Sequence, residues 1–143
     1  MPNRAPSMFE ILEHTADIGM RAWGKTREEM FESAALALVS IAVDPGGIEP
    51  RQVFPIAASG EDLEALLVNW LSEVLYYVDG QRIVLGRFEV EELEEDRVIG
   101  QCWGEPRDAR RHPARLIIKG VTYHQLRISR GADQWSAEVY LDI

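Results

Sequence analysis

Residues 25–44, "KTREEMFESAALALVSIAVD", decide how the rest of the chain has to be arranged. Thr26 followed three residues later by Glu29 forms a capping box, and Glu28, Glu29 and Glu32 favour the positive end of a helix. From Ala34 the stretch is apolar nearly all round: Ala34, Ala35, Leu36, Ala37, Leu38, Val39, Ile41, Ala42 and Val43. A surface helix carries one apolar stripe, so a helix of this kind is covered on more than one side. "DPGG" at 44–47 then stops it.

On the N-terminal side lie two short apolar-rich segments, "MFEIL" (8–12) and "GMRAW" (19–23), which read as strands. On the other side, "RQVFPIAAS" (51–59) looks like a strand in which Pro55 marks an edge or a bulge. A second helix is expected within 59–80, where Leu63, Leu66, Leu67, Trp70, Leu71, Val74, Leu75 and Val78 keep helical spacing. Ser59 is the expected cap at its start, Gly80 follows its end, and Trp70 belongs to its core stripe. Beyond it the chain reads as strands: 82–93, 97–105, 114–130 and 134–143. The fold class is therefore α+β, a layered β/α sandwich in which two main helices pack against or between mostly antiparallel or mixed sheets.

With 143 residues, 46% hydrophobic and 27% charged, the chain has the size and composition of one domain spanning 1–143, with 1–7 expected to be flexible. "MPNRAPS" has no apolar run behind it, so no secretory signal is expected. The longest apolar run, "AALALVSIAV", is about half a bilayer span, so no membrane segment is expected. The single Cys102 fits a reducing, cytoplasmic setting. A net charge of −9 opposes direct nucleic-acid binding, which runs on clustered Lys and Arg. The basic cluster "EPRDARRHPARL" (105–116) is the exception and reads as a solvated loop. The acidic run "EVEELEED" (89–96) reads as a solvated hairpin, with a steering patch for a basic partner as the sharper alternative.

Phosphate loops, zincin spacing around His14, His112 and His124, and serine-hydrolase elbows are all missing. Carboxylates remain. Alternation in "QWSAEVYLDI" puts Trp135, Ala137, Val139, Leu141 and Ile143 on a core face, and Ser136, Glu138, Tyr140 and Asp142 on the other. Asp142 thus stands beside the α-carboxylate of Ile143. Adjacent carboxylates repel unless a cation compensates, and hard oxygen donors select Ca2+, Mg2+ or Mn2+ over zinc. Asp17, in the polar joint "EHTADIG" (13–19) between the first two strands, is a candidate third ligand. The alternative leaves Asp17 capping its own turn and Asp142 solvated.

"FEILEHTADIGMRAWG" (9–24), "FEVEEL" (88–93), "IKGVTYHQL" (118–126) and the closing "YLDI" together resemble the archease family across nearly the whole chain. That resemblance implies a non-catalytic protein cofactor of an RtcB-type tRNA-splicing RNA ligase. Such a cofactor promotes guanylylation of the ligase's catalytic histidine, restores multiple turnover and broadens the choice of nucleotide. It also implies a metal site at Asp17, Asp142 and Ile143, with Ca2+ the expected ion. Gly120 is a small departure, since the family usually carries alanine there. A chaperone-like modulator of RNA-modifying enzymes is the alternative function. A self-sufficient phosphohydrolase lacks a general base and a phosphate loop.

Four further residues are candidates for supporting the carboxylates or touching a partner. His124 shares parity with Leu116, Ile118, Leu126 and Ile128 and is expected on the apolar side of its strand. His14 lies three residues before Asp17. Lys119 and Tyr123 fall on the face opposite His124.

Overall fold

The computed structural model describes residues 8–13 and 17–143. Seven strands and two helices follow in the order β1 (Phe9–Glu13), β2 (Asp17–Gly24), α1 (Arg27–Ala42), β3 (Gln52–Ser59), α2 (Leu63–Leu75), β4 (Ile83–Leu93), β5 (Arg97–Pro106), β6 (Gly120–Arg130) and β7 (Trp135–Asp142). The strands form two antiparallel sheets, ordered β1-β2-β7-β6 and β3-β5-β4.

α1 explains the layering. Ten of its residues are buried, among them Met30, Phe31, Ala34, Ala37, Leu38 and Ile41. It touches β1, β2 and β7 of one sheet, β4 of the other, and α2 beside it. The all-round apolar surface is therefore consumed by two sheets and a helix, as its composition demands. Its start is fixed by the capping box: the Glu29 amide donates to Thr26 Oγ1 at 3.1 Å, and Glu29 Oε2 accepts from the Lys25 amide at 2.8 Å. Trp70 of α2 is fully buried, donates Nε1–H to the Phe31 carbonyl at 3.1 Å and sets its ring 6.1 Å from that of Phe31. No described helix is long and apolar enough to cross a membrane.

Two local expectations are corrected. The cap of α2 is Asp62, whose side chain accepts from the Ala65 amide at 2.8 Å, and not Ser59, which ends β3. Leu63 starts the helix, and a carboxylate at the adjoining position outcompetes a hydroxyl three residues earlier. The expected strand over 114–130 begins only at Gly120. Before it, the Arg115 and Leu116 amides donate to the Ala42 and Ile41 carbonyls at 2.9 and 3.2 Å. These are the carbonyls that a helix end leaves unpartnered, and they draw the segment away from the sheet. Tyr140 on the outward face of β7 is buried, because its register partner is Gly19. A Cβ at Gly19 would stand 2.6 Å from Tyr140 Cε1, so only glycine leaves room for the ring. Pro55 sits on β3, an edge strand, where its missing N–H is tolerated.

Candidate functional site

β2 runs antiparallel to β7 without a register shift, and that pairing sets Asp17 directly opposite Asp142. Directly opposed residues in an antiparallel pair project to the same face with Cβ atoms about 5 Å apart. Gly120 pairs with Asp142 from the other side, and the Lys119 amide donates to the Asp142 carbonyl at 2.7 Å. Asp142 is exposed, while Ile143 packs its side chain against the core, which anchors the residue that follows. A Cβ at Gly120 would meet nothing within 4 Å, so glycine or alanine fits there equally.

The structure thus brings Asp17, Asp142, Ile143 and the backbone of Lys119 to one end of the first sheet. Among the described residues there is no cluster of three or more His, Cys, Asp and Glu side chains suited to a metal. The two opposed aspartates are thus a pair of oxygen donors, short of a full ligand set among the described residues. Two carboxylates with no nitrogen or sulfur between them fit a hard cation and not zinc.

The other candidates disperse. His14 lies outside the described residues. Lys119 and Tyr123 are exposed, Tyr123 by 58%. His124 does not face the apolar side: it is exposed, and its amide donates to Thr122 Oγ1 at 2.8 Å. Parity failed because β6 is bulged there. Between Thr122 and Arg127, β6 advances five positions while β7 advances two, and Gln125 takes a left-handed φ of 57°. Three extra residues, an odd number, reverse the inside–outside alternation beyond them.

A second constellation escaped the reading of the sequence. Glu105, at the end of β5, and His112 are both buried. The Glu105 carboxylate accepts from Arg111 Nη1 and Nη2 at 3.1 and 2.6 Å and from the Glu49 amide at 2.9 Å, with Arg51 Nε at 3.1 Å. His112 Nδ1 accepts from the Asp108 amide at 2.8 Å, so its Nε2 carries the proton donated to Glu105 at 2.9 Å. Burial pushes the Glu105 carboxyl upward, yet hydrogen bonds from Arg111, Glu49 and His112 overcome it and hold it down at about 2. The basic run 105–116 is thus a mostly solvent-exposed loop after Pro106, as expected, but one anchored at two buried residues, Glu105 and His112. Of its arginines, Arg111 folds back onto Glu105, a carboxylate of the same stretch. A charge cluster with both signs was the available signal. By contrast, burial pushes the Cys102 thiol up to about 12, which leaves it inert as a nucleophile.

Residues 9–143 match the archease protein family (MTH1598/TM1083). The chain is 43% identical over 139 residues to Protein archease of Methanosarcina barkeri, covering 94% of this chain and 95% of that protein. It is 40% identical over 147 residues to Protein archease of Methanosarcina acetivorans, with 100% of both chains covered. Among solved structures, protein 1598 of Methanobacterium thermoautotrophicum superposes with a TM-score of 0.80 at 30% identity, over 96% of this chain and 99% of that one. The crystal structure of an archease from Thermotoga maritima, described as a possible chaperone, shares the fold with a TM-score of 0.65 at 21% identity, over 100% of this chain and 99% of that one. Two helices against two antiparallel sheets, a carboxylate pair at one sheet end and this likeness along the whole chain lead to one conclusion: the chain belongs to the archease family.

Proposed function

We propose that this protein is a non-catalytic activator of an RtcB-type RNA ligase in the cytoplasm, promoting guanylylation of the ligase's catalytic histidine and multiple turnover. The observation that carries the reading is the direct opposition of Asp17 and Asp142 beside an anchored Ile143. Asp17, Asp142 and the Ile143 carboxylate would hold a divalent cation, Ca2+ first, with Mg2+ or Mn2+ as substitutes. Such a cation, when bound, supplies neutralisation of phosphate charge during nucleotidyl transfer. The protein's own contribution is placement. Register on both flanks fixes the Asp142 backbone, and the Lys119 amide ties its carbonyl. Pre-set oxygen ligands need no reorganisation when the partner docks.

Adding sub-stoichiometric protein to an RtcB-type ligase tests this directly. The expected result is many ligase turnovers per activator, abolished by Asp142→Ala and by extra residues fused after Ile143. Full stimulation by a folded Asp17→Ala protein would end the metal part of the reading. The chaperone alternative draws support from the description of the Thermotoga maritima structure. A holdase needs near-equal amounts and leaves ligase turnover independent of Asp142.

A further inference from the structure

Most arginines of this chain have a partner. Arg21, Arg51, Arg87, Arg97, Arg111 and Arg115 each lie against a carboxylate. Arg27 and Arg130 stack on the Trp135 ring instead. With 24 acidic residues against 15 basic ones, carboxylates are not in short supply. Among the described residues, Arg82, Arg107, Arg110 and Arg127 nevertheless form no ion pair, and the first three stand together.

The fold is what gathers them. β4 and β5 end on the Ile83–Pro106 pair, and just beyond it the Arg107 amide donates to the Arg82 carbonyl at 2.9 Å. Arg82 and Arg107 therefore leave the sheet side by side, where like charges repel. Arg110 follows on a fixed turn: the Asp108 amide donates to His112 Nδ1 at 2.8 Å, and the Arg110 amide to Asp108 Oδ1 at 2.9 Å. Arg111 and His112 tie that turn to buried Glu105, whose carboxylate they and Arg51 already occupy. Neither Asp79 nor Asp108 forms an ion pair with the three arginines.

Two further details set this group apart. Arg82 takes a left-handed φ of 56°, a conformation that glycine adopts freely and arginine does not, and its side chain is exposed, so no burial offsets the strain. Arg107 Nε is buried without an acceptor, which is the exception in folded proteins.

We propose that Arg82, Arg107 and Arg110 form an anion site for a compact polyphosphate, of the size of pyrophosphate or the tail of a nucleoside triphosphate. The guanidinium fork matches phosphate oxygens two at a time. An anion seated among the three relieves the repulsion between Arg82 and Arg107 and supplies the acceptors that they lack. Ligand size follows from charge: three cations on a chain that carries −9 attract a short anion, whereas a long polyanion runs onto the acidic remainder and is repelled. The site stands independently of the activator reading, since it uses neither Asp17 nor Asp142.

Titration calorimetry with pyrophosphate tests the site on metal-free wild-type protein, the Arg82→Ala/Arg110→Ala double variant and Arg127→Ala, each checked for folding by circular dichroism. Arg82 and Arg110 are exposed, so their removal leaves the core intact. Arg127 is equally unpaired but stands alone on β6 opposite Glu138, and serves as the control. Expected is saturable binding of pyrophosphate, weakened roughly tenfold in the double variant and unchanged in Arg127→Ala. Displacement of bound pyrophosphate by ATP identifies a nucleotide tail as the source of the anion, and its absence identifies free polyphosphate; either supports the site. No saturable binding, or an equal loss in Arg127→Ala, overturns it. Binding of single-stranded RNA without any of pyrophosphate overturns the compact ligand in favour of a nucleic-acid surface.

Discussion

Asp17 and Asp142, 125 positions apart in the chain, stand directly opposite one another across β2 and β7. Like charges in that relation destabilise a sheet by about 0.2–1 kcal/mol relative to a neutral pair. Asp142→Asn is therefore expected to raise metal-free stability slightly, or leave it unchanged, while removing the response to Ca2+. On the proposed Ca2+ site, wild-type protein in Ca2+ at about 100 times the Kd is expected to gain about 2.7 kcal/mol. Thermal melts with and without Ca2+ read both effects, and a variant that gains as much as wild type would contradict ligation by Asp142.

Glu105 predicts an acid-sensitive stability. Its carboxyl is held at about 2 in the folded protein against an ordinary 4.5, so the folded state favours the charged form. The stabilisation is present in full above about pH 4.5 and is lost as pH falls towards 2. Glu105→Gln is expected to destabilise by about 2–4 kcal/mol at neutral pH, because Arg111 and His112 lose a charged acceptor. Denaturation at stepped pH should show the gap between wild type and variant closing below pH 4.5. A constant gap down to pH 2 would contradict the assignment.

Gly19→Ala tests the packing beneath the aspartates. The added methyl would meet Tyr140 Cε1 at 2.6 Å and both Leu12 Cβ and Leu12 O at 3.0 Å. Forced repacking of this kind costs about 1–3 kcal/mol. Since Tyr140 shares β7 with Asp142, weaker Ca2+ binding is expected alongside the lower stability, and calorimetry of the folded variant separates the two.

The cap of α2 gives a paired control. Asp62→Ala should cost about 1 kcal/mol, whereas Ser59→Ala should stay within about 0.5 kcal/mol. Urea titration of both variants decides it, and the reverse order would restore Ser59 as the cap.

Short-range chemistry was enough for much of this protein. The all-round apolar character of 34–43 demanded layers on several sides of α1, and two sheets and α2 supply them. The Thr26–Glu29 box, the stripe through Trp70 and the edge position of Pro55 are likewise readable, because each depends on neighbours within a few residues or on a period of two or 3.6. The motifs at residues 9–24 and 118–126 and at the chain end pointed to the family and to Asp17 and Asp142 by resemblance.

Residues far apart in sequence but adjacent in space had to wait for the fold. No spacing rule sets Asp17 against Asp142; strand register does, and register is a property of two strands at once. The bulge in β6 turned His124 outward against its parity, since insertions in one strand are invisible without the other. Glu105 and His112 looked like members of a solvated charge run. They are buried because Arg111, Arg51 and the Glu49 amide converge on one carboxylate from separate segments. Long-range pairing of this kind is decided by packing, whose partners a linear pattern does not name.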